Sequence, residues 1–163
     1  EVWVARSSGN KIKVSGPESH PDDAATLLAV AYVDMWVTVP LGGSSESSIP
    51  DRIRASAAEA GVDTNKPFVF VIEGKVKELD AHVIAGSCPI ANPDGESPSR
   101  FSINRSANAR LVGVYAEGSE GDLTHHGNLT HMHVIMNRSG QMITGHVDHV
   151  IVGEDAILRV PAG

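Results

Sequence analysis

The sequence predicts an α+β domain: mostly antiparallel β-sheet, β-barrel-like, with one or two helices. Three observations carry this. Runs of β-branched and aromatic residues recur along the chain, among them Phe68 to Ile72, Ala109 to Tyr115 and Val134 to Met136, broken by stretches rich in Gly, Pro and Asn. Only one segment, Arg52 to Ala60, has firm helix chemistry. Six of the eight histidines fall between His125 and His149, on what reads as a hairpin.

In chain order, Val2 to Ala5 reads as a strand, Ser7-Ser8-Gly9-Asn10 as a turn, and Lys11 to Val14 as the returning arm. A polar loop containing His20 follows. Residues 24–40 mix Ala and Leu, which favour helix, with Val, Tyr, Trp and Thr, which favour strand. A continuous apolar run suits a buried strand, so a strand is expected from about Leu27, ending at Val37 to Pro40. The helix comes next, with Ser48 as its cap, Pro50 early, an apolar stripe of Ile49, Ile53 and Ala57, and Gly61 as its stop. Phe68 to Ile72 is a strand, a tight turn is expected near Glu73-Gly74, and Lys75 to Ala85 is its partner, carrying His82. Cys88 to Arg100 is a loop, Phe101 to Asn104 and Ala109 to Tyr115 are strands, and Ala116 to Leu123 is an acidic loop. A short strand near Ile157 to Val160 closes the count at eight to ten.

The histidine hairpin holds the chemistry. His131 and His133 lie two apart, so they share a face of a strand. Asn137 to Gly140 is turn chemistry, and Gln141 to Val150 returns. A two-residue turn at Arg138-Ser139 sets His146 opposite His131; one at Ser139-Gly140 sets it opposite His133. Either register gathers His131, His133 and His146 on one face, with Met132, Val134, Met136, Ile143 and Val147 on the other. A three-residue loop with a bulge would send His146 to the wrong face. The same alternation puts His149 on the core face, with Asp148 as a nearby spare. Three neutral imidazoles on one wall make an open metal site; zinc characteristically takes three protein ligands and keeps one exchangeable position. Other divalent transition metals fit the same donors.

With 163 residues, one domain spanning 1–163 is expected. The net charge of −7 and the lack of a basic run argue against nucleic acid, and no apolar run reaches the ~20 residues of a membrane span. Cys88 is the only cysteine, so no internal disulfide forms. Localisation stays open between the cytoplasm and export after signal-peptide removal. The sequons at Asn104, Asn128 and Asn137 read as chance occurrences.

Leu111-Val112-Gly113-Val114-Tyr115, His131-x-His133 and Gly145-His146-Val147, in that order, resemble the acetolactate decarboxylase family. Phe68 to Val83 resembles an earlier hairpin of that family, and Glu1-Val2 its Gly-Glu strand. The resemblance implies a zinc-dependent decarboxylation of 2-acetolactate to acetoin and carbon dioxide, with His131, His133 and His146 as ligands. It also implies Glu1 as the proton-transfer residue. His125 and His126, just ahead of the ligand strand, are candidates for contacting the substrate, a small 2-hydroxy-3-keto acid. A homo-oligomer is compatible with this reading. The chain departs from the family in lacking an Arg between Phe68 and Ile72; Arg100, Arg105 and Arg110 are the nearest substitutes in sequence to the histidine region. It also ends at Gly163, where better-known members continue to a further Glu, and its His133–His146 gap is slightly longer. Two alternatives stand beside this: a non-enzymatic metal-binding or oligomerisation module related to DNA-associated H-x-H domains, and a cupin-type enzyme. The cupin pattern adds a Glu soon after H-x-H, and Val134 to Ser139 holds no carboxylate.

Overall fold

A computed structural model describes residues 4–8, 11–16, 30–42, 49–84 and 98–163. Glu1, His20, Leu27 to Ala29, Ser48 and Cys88 lie outside them. Among the described residues the order is β1 (Val4–Ser8), β2 (Lys11–Ser15), β3 (Trp36–Pro40), α1 (Ile49–Glu59), β4 (Phe68–Val83), β5 (Ser99–Ile103), β6 (Ala107–Tyr115), β7 (Thr130–Arg138), β8 (Gln141–Val152) and β9 (Ile157–Pro161). The α+β, mostly antiparallel expectation holds.

β1 and β2 form a separate antiparallel hairpin that runs on through Ser7 and Ser8, two residues the sequence reading placed in the turn. The other strands make one sheet in the order β3-β9-β4-β6-β7-β8, with β5 on β4. β8 then returns to pair with β4, closing β4-β6-β7-β8 into a small barrel. Phe70, Ile72, Leu79, Leu111, Tyr115, Val134, Val150 and Leu158 fill its core. α1 adds Ile49, Ile53 and Ala57, all with no exposed surface and spaced for one helical face. The helix stops in a Schellman motif: Gly61 takes φ +84°, its N–H donates to Ala58, and the Val62 N–H donates to Ala57.

Two expectations are corrected. Glu73-Gly74 is no turn. β4 runs unbroken through 16 residues because one neighbour after another pairs with it along nearly its whole length. Phe68 to Val76 pairs with β6, Val71 to Glu73 with β9, Val76 to His82 with β8, and Leu79 to Val83 with β5. Gly74 marks the handover between neighbours. It has φ +141°, and a Cβ there would meet the Ala156 backbone at 2.8 Å. The second correction concerns residues 30–35, which form no strand. Val30, Tyr32 and Met35 are 66%, 96% and 66% exposed, so the apolar run is not buried and the strand begins at Trp36.

Close packing inside the barrel gives a direct test. A Cβ at Gly113, in the middle of β6, would lie 2.5 Å from Phe70 Cζ and 2.7 Å from the His131 carbonyl. Gly113→Ala is therefore expected to lower stability by about 1–3 kcal/mol, read as a reduced urea midpoint. An unchanged midpoint would show that β6 and β7 are not packed this tightly.

Candidate metal centre

The β7–β8 register pairs His133 with His146 and Arg138 with Gln141, so the turn is Ser139-Gly140. Ser139 and Gly140 both take positive φ, +54° and +86°, as a two-residue turn of this hand requires. Asn137 Oδ1 accepts from the Gly140 N–H at 2.9 Å, bracing it. Of the two registers the sequence allowed, this is the second. Met132, Val134 and Val147 are buried in the core, and His131, His133 and His146 stand on the opposite face.

One imidazole nitrogen from each of His131, His133 and His146 lies within 4.8 Å of the other two. His131 Nδ1–H donates to the Leu123 carbonyl at 3.0 Å, which leaves His131 Nε2 with its lone pair free. That Nε2 is 3.2 Å from His133 Nε2. Two ring nitrogens this close share either a proton or a cation, and ligand nitrogens around tetrahedral zinc sit about 3.3 Å apart. The donor set and its spacing therefore fit a transition-metal ion. Val112 pairs with His133 and Val114 with His131, so both valines stand on the histidine face as an apolar wall.

All three imidazoles are held towards the neutral form, the form that can ligate a metal. Desolvation by burial, then the charges of His131, His133, His82 and His125, lower His146 to about 3. His133 is the most open of the three, yet the atoms packed about its ring, then His131 and His82, lower it to about 4. Burial also lowers His131, against the opposing pull of its bond to Leu123.

His82 and Asp148 complete the neighbourhood. β8 carries a bulge: Ala81 pairs with Val147 and Asp80 with His149, leaving Asp148 without a partner on β4. The bulge re-aims every residue after it. Val150 and Val152 return to the core, and His149 does not reach it; its side chain is 39% exposed and 4.0 Å from Glu78. The placement of His149 on the core face is thereby overturned. Asp148 Oδ1 accepts from His82 Nδ1–H at 2.8 Å and Oδ2 from Arg100 Nη1 at 2.9 Å. His82 is 9% exposed, and its ring centroid is 4.9 Å from that of His146. A cavity of about 570 Å³ is lined by Pro50, Asp51, His82, His125, His146 and Asp148 with other residues of the 127–132 segment.

Of the remaining sequence candidates, His125 is brought to the cluster, with its ring 4.7 Å from that of His146. His126 is exposed, and its ring lies over Gly121. Arg100 reaches the edge of the site through Asp148. Arg110 is held by Glu73 at 2.6 Å, and Arg105 lines a separate cavity beside the hairpin tip. Sequence reasoning gave His82 little weight. Its signal was a histidine on a strand beside the histidine hairpin, and only the pairing of His82 with His146 makes that visible. Among the described residues, no helix is long and apolar enough to cross a membrane.

Fold and site together define a small antiparallel barrel carrying a three-histidine cluster on one face. The structure is similar to acetolactate decarboxylase from Bacillus subtilis, with TM-score 0.57 and 15% identity over 81% of this chain and 53% of that one. It is likewise similar to a Staphylococcus aureus protein described as similar to alpha-acetolactate decarboxylase, with TM-score 0.59 and 14% identity over 82% and 53% of the two chains. A metal-containing protein from Archaeoglobus fulgidus matches with TM-score 0.51 and 13% identity over 83% and 85%. The chain spans about half the length of the decarboxylases it matches. No family model matches the sequence, and no curated protein does. At these identities the likeness is one of fold.

The lowered histidines set the pH response. Above the ordinary imidazole pKa of about 6.5 the rings are neutral whether the chain is folded or not. Below it the unfolded chain takes up protons that folded His133 and His146 refuse, so the metal-free protein loses stability as pH falls through about 6.5 towards 4 and then 3. Zinc affinity is expected to stay nearly level from about pH 7.5 to about pH 5.5 and to collapse only below that. Chelator competition across this range would reveal a site of ordinary histidines by a steep loss beginning near pH 6.5.

Proposed function

We propose that the chain is a metal-dependent carboxy-lyase that converts 2-acetolactate to acetoin and carbon dioxide, with zinc held by His131, His133 and His146. The observation that carries this is the convergence of three ligating nitrogens within 4.8 Å on the wall of a barrel whose fold acetolactate decarboxylase shares. Bound there, zinc supplies a Lewis acid that stabilises negative charge on the substrate oxygens as carbon dioxide leaves. The chain supplies the rest. The Leu123 carbonyl fixes the His131 tautomer, so that its Nε2 is ready to ligate. Val112 and Val114 keep one side of the site apolar, which strengthens every charge interaction beside it. Arg100, anchored on Asp148 at the cavity, brings a guanidinium to the substrate carboxylate. His125 in the cavity wall meets the substrate, and His126 stands next to it in sequence. A carboxyl group then delivers one proton to the carbon that lost carbon dioxide, giving acetoin, the role that the family resemblance gives to Glu1. The net charge of −7 suits a small-molecule substrate rather than a nucleic acid.

A second reading, a metal-binding module without turnover, draws on the fold shared with the metal-containing archaeal protein. One experiment separates the two: acetoin release from racemic 2-acetolactate, with zinc measured on the same sample. Acetoin at one zinc per chain, and loss of both in His131→Ala, is the expected result. Zinc without acetoin would reject the decarboxylase and leave the module; a folded protein binding no zinc would reject both.

A further inference from the structure

The loop between β6 and β7 brings a fourth imidazole to the cluster. The His125 ring centroid is 4.7 Å from that of His146 and 5.6 Å from that of His131. Among the three ligand rings themselves the separations are 4.7, 5.2 and 5.6 Å. Imidazoles bound to one tetrahedral ion have centroids about 5 Å apart, given zinc–nitrogen bonds of about 2 Å. His125 thus stands towards two of the ligands as those ligands stand towards each other. One nitrogen from each of the other three converges to within 4.8 Å; His125 stands beside that set by its ring, and joining it requires the ring to turn.

The loop holds His125 there through its own bonds. Ala116 N–H donates to Leu129, closing the loop at its base. Asp122 and Leu123 N–H groups donate to Ser119, Gly121 donates to Thr124, and Asn128 donates to the His125 carbonyl. Leu123, two residues before His125, is the residue whose carbonyl accepts from His131. The bond that fixes the tautomer of one ligand therefore also ties down the loop two residues before His125. His125 is half-buried, as a ligand turned into a site would be, while His126 next to it is exposed.

We propose that His125 is a fourth metal ligand, which closes the zinc site in its resting state and gives way when an oxygen-donor ligand enters. This rests on the three-histidine site of the proposed function and adds its regulation. The open position expected of a three-histidine catalytic site is then held by a residue on a loop, and entry of a substrate or a small anion requires that residue to swing out.

The test uses the full chain loaded with zinc or with cobalt(II) as a spectroscopic probe. X-ray absorption on the unsubstituted zinc protein counts imidazoles: four are expected, and three with oxygen would overturn the inference. His125→Ala is expected to weaken zinc binding about tenfold or more in chelator competition. It should also make the visible cobalt(II) spectrum respond to azide at concentrations that leave the unsubstituted protein unchanged. Equal affinity and equal azide response in the two proteins would sink the fourth ligand. If His131→Ala has meanwhile lost its metal, the three-histidine site survives that result. His125→Gln, which keeps a polar side chain on the loop, distinguishes a lost ligand from a disturbed loop: it should behave as the Ala variant does.

Discussion

The antiparallel register that sets His133 opposite His146 is the constraint on which the site depends. Because side chains alternate along a strand, a shift by one residue would carry His146 into the core and Ile143 and Val147 out of it. The buried Met132, Val134 and Val147 make that slip costly. The geometry of the three-histidine cluster is thus held by hydrophobic burial on the far side of the same two strands. The turn at Ser139-Gly140, with both residues at positive φ, is the local half of that specification.

What gathers on the polar face is a crowd of imidazoles that repel protonation together. Desolvation does most of this, and neighbouring rings add to it. A cluster that refuses protons offers lone pairs instead, and a divalent cation satisfies several at once. The single bond from His131 to Leu123 has two consequences: it selects the nitrogen that faces the cluster, and it draws the β6–β7 loop down over it.

Long-range closure supplies the other half of the neighbourhood. β4 changes partners along its length, and its second half lies beside β8, so His82 comes to rest against His146 across about 60 residues of sequence. The bulge at Asp148 then aims a carboxylate at both His82 and Arg100. It also spares the core a histidine, since His149 turns outward and Val150 takes the buried place.

The local pattern of the sequence determined the α+β class, the helix with its Gly61 stop, the β7–β8 hairpin, and His131, His133 and His146 as one face. All of these follow from periodicity and turn chemistry within about 30 residues. Three things were decided only by tertiary structure. The apolar content of residues 30–35 did not predict burial, because burial depends on what packs against a segment. Glu73-Gly74 carries turn residues, yet pairing with β6, and with β9 up to Glu73, carries β4 unbroken through it. His82, Asp148, Arg100 and His125 meet through strand closure, a bulge and a loop fold. Each of these joins residues distant in sequence or breaks the period of two, so no local pattern encodes them.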